Sequence, residues 1–197
     1  MFRRILITVL VAASAVGCGG SGGPQSSGPV NELLARPFPA EAPAVKESLV
    51  AHGDRAVRGI VEAVKKESGA SPERIDFLFD VLTSIGTPNA QVAMVELLDD
   101  QRPIVRGRAA DELATNLAHC ATPALIERLQ DTAVYSDNVN RKESLTVGEA
   151  ADEALQKLTG MRKAGTDTER PASRAPVFRA WWEANGPRLM CSDDWKK

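Results

Sequence analysis

The sequence predicts an all-α chain, a short α–α superhelix built from stacked antiparallel helix pairs. Three observations predict it. The first is internal repetition: Ile60–Val64 (IVEAV), Met94–Leu98 (MVELL) and Leu125–Leu129 (LIERL) share one pattern, with starts 34 and 31 residues apart. The second is a helical period inside each unit. Val57, Ile60, Val61 and Val64 fall at i, i+3, i+4 and i+7, and Ile75, Leu78, Leu82 and Ile85 form a similar stripe. The third is that no segment sustains period-two alternation, so essentially no sheet is expected. One pair of such helices has too small an apolar face to bury alone, and stacking joins the faces into one core.

The elements follow in order. Helices are expected near 44–52, 54–68, 72–86, 89–99, 103–119, 123–133, 146–159 and 176–185. Ser71-Pro72, Thr87-Pro88 and Thr122-Pro123 each place an N-cap residue before a proline at the first helical position. Thr146 with Glu149 makes a capping box, and Gly53, Gly69, Gly86 and Gly160 stand where helices should stop. Leu78 and Leu82 correspond to Leu113 and Leu117, and Ala109-Ala110-Asp111-Glu112 recurs as Ala150-Ala151-Asp152-Glu153. The small alanines allow close helix approach.

Segment 134–146 (VYSDNVNRKESLT) is polar and longer than a tight turn. It reads as a solvated loop, with partner contact through Tyr135, the chain's single tyrosine, as the alternative. Phe178, Trp181 and Trp182 at i, i+3 and i+4 read as a cap over the open end of the last repeat; exposed tryptophans at an interface are the competing reading. Trp195 has no assigned role.

Composition excludes several function classes. A net charge of −2 and an acidic pI near 5.8 remove the electrostatic case for nucleic-acid binding. Two histidines and three cysteines cannot build zinc fingers or a multi-histidine metal centre. His52 and His119 are far apart in sequence and suit helix ends better than a metal. Gly17–Gly22 fits G-x-G-x-x-G and Gly19–Gly23 fits G-x-S-x-G, but neither lies between a strand and a helix, as those motifs require. No catalytic residues, no metal and no cofactor are expected.

The stretch Asp100-Gln-Arg-Pro103-Ile-Val105-Arg106-Gly-Arg-Ala109-Ala110-Asp-Glu-Leu113 resembles the HEAT-repeat signature D-x-x-P-x-V-R-x-x-A-A-x-x-L. Thr122-Pro123-Ala124-Leu125-Ile126-x-x-Leu129 is similar to that family's second helix. The resemblance covers about 43–160 and is strongest over 100–131, and it extends to short bacterial HEAT-like repeats of the phycobilin-lyase type. It implies structural roles for Asp100, Pro103 and Arg106, with Pro103 bending the helix entry and Arg106 reaching acidic groups in the stack. Arg106 or Arg108 as partner contacts is the alternative. The family's usual role is protein–protein scaffolding.

The N-terminus reads as an address. Arg3 and Arg4 precede the apolar run Ile5–Ala15, which is too short to span about 30 Å of hydrocarbon, and small residues lead to Cys18. Ala15-Val16-Gly17-Cys18 resembles a bacterial lipoprotein lipobox, departing from it at Ala15. The resemblance implies cleavage before Cys18, acylation (palmitate-class chains) of that cysteine, and membrane anchoring at roughly 0.8 kcal/mol per buried CH₂. The mature chain then holds 22 basic and 26 acidic residues, a charge of −4. Gly19 stands where an acidic residue resembles inner-membrane retention, so outer-membrane anchoring facing the periplasm is expected. Six of the fifteen glycines lie within 17–28, the composition of a flexible tether.

The expected organisation is a signal peptide over 1–17, anchor and Gly/Ser/Pro-rich tether over 18–42, HEAT-like repeats over 43–160, and a linker with a C-terminal capping helix and tail over 161–197. The function implied is a non-enzymatic, membrane-anchored protein–protein interaction scaffold of the bacterial cell envelope, its protein partner unspecified. The alternatives are an enzyme or lyase-like chromophore-handling protein, or a structural subunit of an envelope complex. With Cys18 taken by lipid in an oxidising compartment, Cys120 and Cys191 either pair or remain as two free thiols. A bridge would close a 71-residue interval and contribute roughly 4 kcal/mol in the chain-entropy account. Thiol titration of the native protein, with and without reductant, decides it: pairing predicts thiols that appear only after reduction, and two free thiols without reductant end the idea.

Overall fold

The computed structural model describes residues 28–66, 71–138, 143–161 and 170–186. The expected signal, Cys18, Gly69, Cys191 and Trp195 lie outside the described residues. The chain is mostly helical: α1 (Gly28–Leu34), α2 (Ala42–His52), α3 (Asp54–Lys66), α4 (Pro72–Ile85), α5 (Pro88–Leu97), α6 (Pro103–Thr115), α7 (Thr122–Arg128), α8 (Val147–Thr159) and α9 (Ala175–Asn185). Short 3₁₀ turns over His119–Ala121 and Pro171–Arg174 precede α7 and α9.

Local chemistry accounts for most of the ends. The hydroxyls of Ser71 and Thr87 accept from the backbone N–H of Arg74 and Ala90, with proline opening each helix behind them. Thr146 and Glu149 form the reciprocal capping box. Gly86 and Gly160 close α4 and α8 in the left-handed conformation, which only glycine adopts without strain. Thr122 departs from expectation: it lies inside α7 and its hydroxyl donates to the His119 carbonyl at 2.7 Å, so it is not the N-cap.

Packing sorts the helices into two layers. α2, α4, α6 and α8 lie side by side in one; α3 packs on α5, and α7 on α9, in the other. The apolar stripes meet between the layers, and one cluster of buried side chains runs from Val30 through Leu49, Ile60, Phe79, Met94, Leu113 and Leu155 to Phe178. Polar contacts also join elements distant in sequence. Lys46 reaches Asp80 at 2.6 Å, Asn89 and Thr87 donate to Asp54, Thr83 donates to Glu112, and Asn116 donates to Thr83. The partners in these bonds are 29 to 35 residues apart.

Four expectations are corrected. A two-stranded antiparallel sheet exists where a loop was expected, with β1 (Val134–Asn138) paired to β2 (Glu143–Thr146). The helix expected over 123–133 ends at Arg128, where the chain turns into that hairpin. The helix expected over 103–119 ends at Thr115; Leu117 takes a positive φ of 50° and is 59% exposed, so its correspondence with buried Leu82 fails. Finally, α1 folds inside the stretch read as tether. It docks Val30 against Gly59 of α3, where a Cβ would come within 2.8 Å of the valine methyl. Val30, Leu33 and Leu34 fall at i, i+3 and i+4, a stripe of a single turn that follows a Gly/Pro-rich segment.

α9 packs against α7 and α8. Phe178 is fully buried, with the Arg174 guanidinium 4.8 Å over its ring. Trp181 and Trp182 are half-buried, Trp182 packing against the core. Beneath them Arg174 Nη1 donates to both Asp152 oxygens at 2.6 and 2.8 Å, both side chains being under 10% exposed. Removing one member of a buried ion pair leaves a desolvated charge, so Arg174→Met should cost about 3–5 kcal/mol in urea unfolding at neutral pH. Asp152→Leu/Arg174→Met should recover most of the loss; equal destabilisation of the single and double variants would refute this account.

Candidate functional site

The expected signature residues are brought together at the joint between α5 and α6. Val105, Ala109, Ala110 and Leu113 are fully buried, and Pro103 opens α6. Asp100 accepts from the backbone N–H of Arg102 at 2.9 Å and from its Nε at 2.8 Å. Burial alone would raise the Asp100 carboxyl, but the Arg102 bonds outweigh it and hold it below the usual range. Arg106 Nε donates to Asp131 at 2.7 Å while its Nη1 donates to the Asp100 and Gln101 carbonyls. Arg106 is thus occupied within the fold, which leaves little of it for a partner.

A different place has the form of a binding site. α4, α6 and the hairpin enclose a cleft of about 560 Å³ lined by Pro72, Asp76, Ile104, Arg108, Asp111, Tyr135, Ser136 and Leu145. Ile104, Arg108 and Asp111 stand at i, i+4 and i+7 on one face of α6, so helical periodicity alone aligns them. Tyr135 reaches the site through a strand irregularity: Val134 pairs with Thr146 and Ser136 with Leu145, leaving Tyr135 as the extra residue of a β-bulge. Its ring lies on Gly107, where an added Cβ would fall 2.1 Å from the ring carbon Cγ. Its hydroxyl donates to Asp111 at 3.0 Å.

The electrostatics of the cleft are unbalanced. Arg108 is the one cation of its described lining, and it serves two carboxylates. Its Nε lies 2.7 Å from Asp76 without hydrogen-bond alignment, and its Nη1 is 3.9 Å from Asp111. Burial raises the Asp111 carboxyl above its ordinary range, more than the Tyr135 hydrogen bond and the Arg108 charge lower it, and Glu153 and Glu112 push the same way. Burial, the Asp111 charge and the hydrogen bond to it drive the Tyr135 phenol far above its ordinary value. Such a cleft can recognise charged and hydrogen-bonding groups. The ionisable groups of its described lining are Asp76, Arg108, Asp111 and Tyr135, with the Ser136 hydroxyl beside them.

The sequence had singled out Arg108 and Tyr135, and both line the cleft; Asp76, Asp111 and Ser136 were missed as site residues. The available signal was the spacing: with Leu78 matched to Leu113, Asp76 falls on Asp111, and Gly107-x-Ala-Ala-Asp111-Glu repeats as Gly148-x-Ala-Ala-Asp152-Glu. Cys120, in the 3₁₀ turn before α7, is disulfide-bonded, while Cys191 lies outside the described residues. His52 ends α2; His119 sits in the 3₁₀ turn with its Nδ1 buried and unbonded. Among the described residues no three His, Cys, Asp or Glu side chains are grouped to hold a metal, and no helix is long and apolar enough to cross a membrane. No family model and no curated protein matches this chain.

The single tyrosine makes the cleft measurable. In an ultraviolet titration the native phenol should stay protonated through about pH 10, where a free tyrosine is half-ionised. The unfolded chain releases that proton first, so folding stability should fall as pH rises above about 10. Gly107→Ala, which displaces the ring, should return the midpoint toward the free value and cost about 1–3 kcal/mol. A native midpoint at the free value would contradict the Tyr135–Asp111 bond.

Proposed function

We propose that this chain is a lipid-anchored, non-enzymatic protein–protein interaction scaffold of the bacterial cell envelope. In this reading the described helices are a short HEAT-like α–α superhelix, tethered through acylated Cys18 to the outer membrane and facing the periplasm. The observation that carries it is the cleft. A hairpin rests on the described helices, and together with α4 and α6 it lines an open, charged surface. A lining of carboxylates, guanidinium, phenol and hydroxyl suits recognition of a polar protein surface.

The disulfide at Cys120 fits the same compartment, since such bonds persist in oxidising environments. We assign Cys191 as its partner, which would tie the tail to the turn before α7.

Two measurements test the proposal. Cys18→Ala should abolish palmitate labelling and move the protein from the membrane fraction to the soluble one. Crosslinking in intact envelopes should then capture a defined protein partner with the native chain, with capture lost or much reduced for Cys18→Ala. An unlabelled, soluble native protein would refute the anchor, and a small-molecule cofactor carried through purification would refute the scaffold in favour of an enzyme.

A further inference from the structure

We infer that the cleft between α4, α6 and the hairpin is a docking site for an arginine side chain of a partner polypeptide, seated against Asp111 and Ser136. The inference rests on the scaffold reading above and specifies the chemistry of its partner.

The fold carries its own precedent one repeat further on. Asp111 of α6 and Asp152 of α8 occupy the same position in the repeated Gly-x-Ala-Ala-Asp-Glu segment, each four residues after a glycine that lets another part of the chain approach the helix closely. At Asp152 the cation is Arg174, whose Nη1 bonds both carboxylate oxygens, while the chain lying on Gly148 is the Leu129–Asp131 backbone. At Asp76, the position one repeat before Asp111, the cation is Arg108. Asp111 is the exception. Its close contact is the Tyr135 hydroxyl, a neutral donor, and the nearest guanidinium nitrogen, 3.9 Å away, belongs to the arginine already against Asp76.

The surroundings select the sign and shape of what would bind. Two lining carboxylates face one lining cation, and Glu153 and Glu112 add negative potential at Asp111. A second cation is therefore favoured and an anion is not. A guanidinium is planar and offers several donors, so it can address the Asp111 oxygen not used by Tyr135 together with the Ser136 hydroxyl. Ile104, Pro72 and Leu145 supply apolar walls for the alkyl stem of such a side chain. About 560 Å³ is ample space for it.

Three capped tripeptides, Gly-Arg-Gly, Gly-citrulline-Gly and Gly-Glu-Gly, separate the possibilities when titrated into the full mature chain and followed by backbone amide chemical shifts. Citrulline keeps the shape of arginine and loses the charge. The inference predicts saturable shifts confined to residues 72–76, 104–111, 134–136 and 144–146 for the arginine peptide in the millimolar range, with the other two at least about tenfold weaker. Asp111→Asn, which still accepts from Tyr135, should weaken arginine binding about tenfold. Ser136→Arg, which supplies the cleft with a guanidinium from the chain itself, should abolish it while leaving the remaining amides unmoved. The second variant decides the matter if the first is poorly folded. Equal binding of citrulline, preferential binding of the glutamate peptide, shifts elsewhere, or no saturation would each overturn the inference. Its failure leaves the scaffold reading standing so long as crosslinking still captures a partner; loss of that capture, not of peptide binding, overturns the scaffold.

Discussion

Helices that end against one another leave carbonyls without intrahelical partners, and in this chain arginines from neighbouring elements satisfy them. Arg74 donates to the Leu34 carbonyl at the end of α1, and Arg102 to Val64 near the end of α3. Arg128 reaches Leu98 after α5, and Arg106 joins the α5–α6 turn to Asp131. Apolar packing between small helices is non-directional and tolerates sliding. A planar guanidinium bonded to a carbonyl of another helix does not, so these contacts oppose sliding of one helix along its neighbour.

The line of aspartates shows how one repeated position acquires different chemistry. Asp76, Asp111 and Asp152 stand at matching places on α4, α6 and α8, yet each meets a different group: Arg108, Tyr135 and Arg174. The nearly fully buried member has the full bidentate cation, as desolvation demands. The member beneath the hairpin has a phenol and a raised carboxyl beside an open cleft. A fold made of near-copies thus becomes asymmetric where an insertion enters between α7 and α8. The same insertion dictates glycine at position 107, because the Tyr135 ring occupies the space a side chain would take.

Legibility followed locality. Caps, stops and apolar stripes are determined within a few residues, and the ends at Ser71, Thr87, Thr146, Gly86 and Gly160 form as the sequence predicts. Thr122 failed because a preceding 3₁₀ turn, closed through Ala118 and His119, already supplied the entry to α7. The hairpin was missed because its alternation spans only five and four residues and its stability comes from resting on α6. α1 was missed for a related reason: its one fully enclosed side chain, Val30, finds its place through a glycine in α3. Of the cleft, Tyr135 and Arg108 were legible as unusual residues, whereas Asp111 and Asp76 looked like ordinary polar positions on an amphipathic helix.

By itself the sequence determined the helical class and most helix boundaries, because each of these rests on composition or on neighbours along the chain. Tertiary structure alone decided which cation each repeated aspartate meets, where the bulge aims Tyr135, and that a charged cleft opens between α4 and α6. Those outcomes depend on groups 22 to 32 residues apart being brought together, and no local pattern encodes which of them will meet.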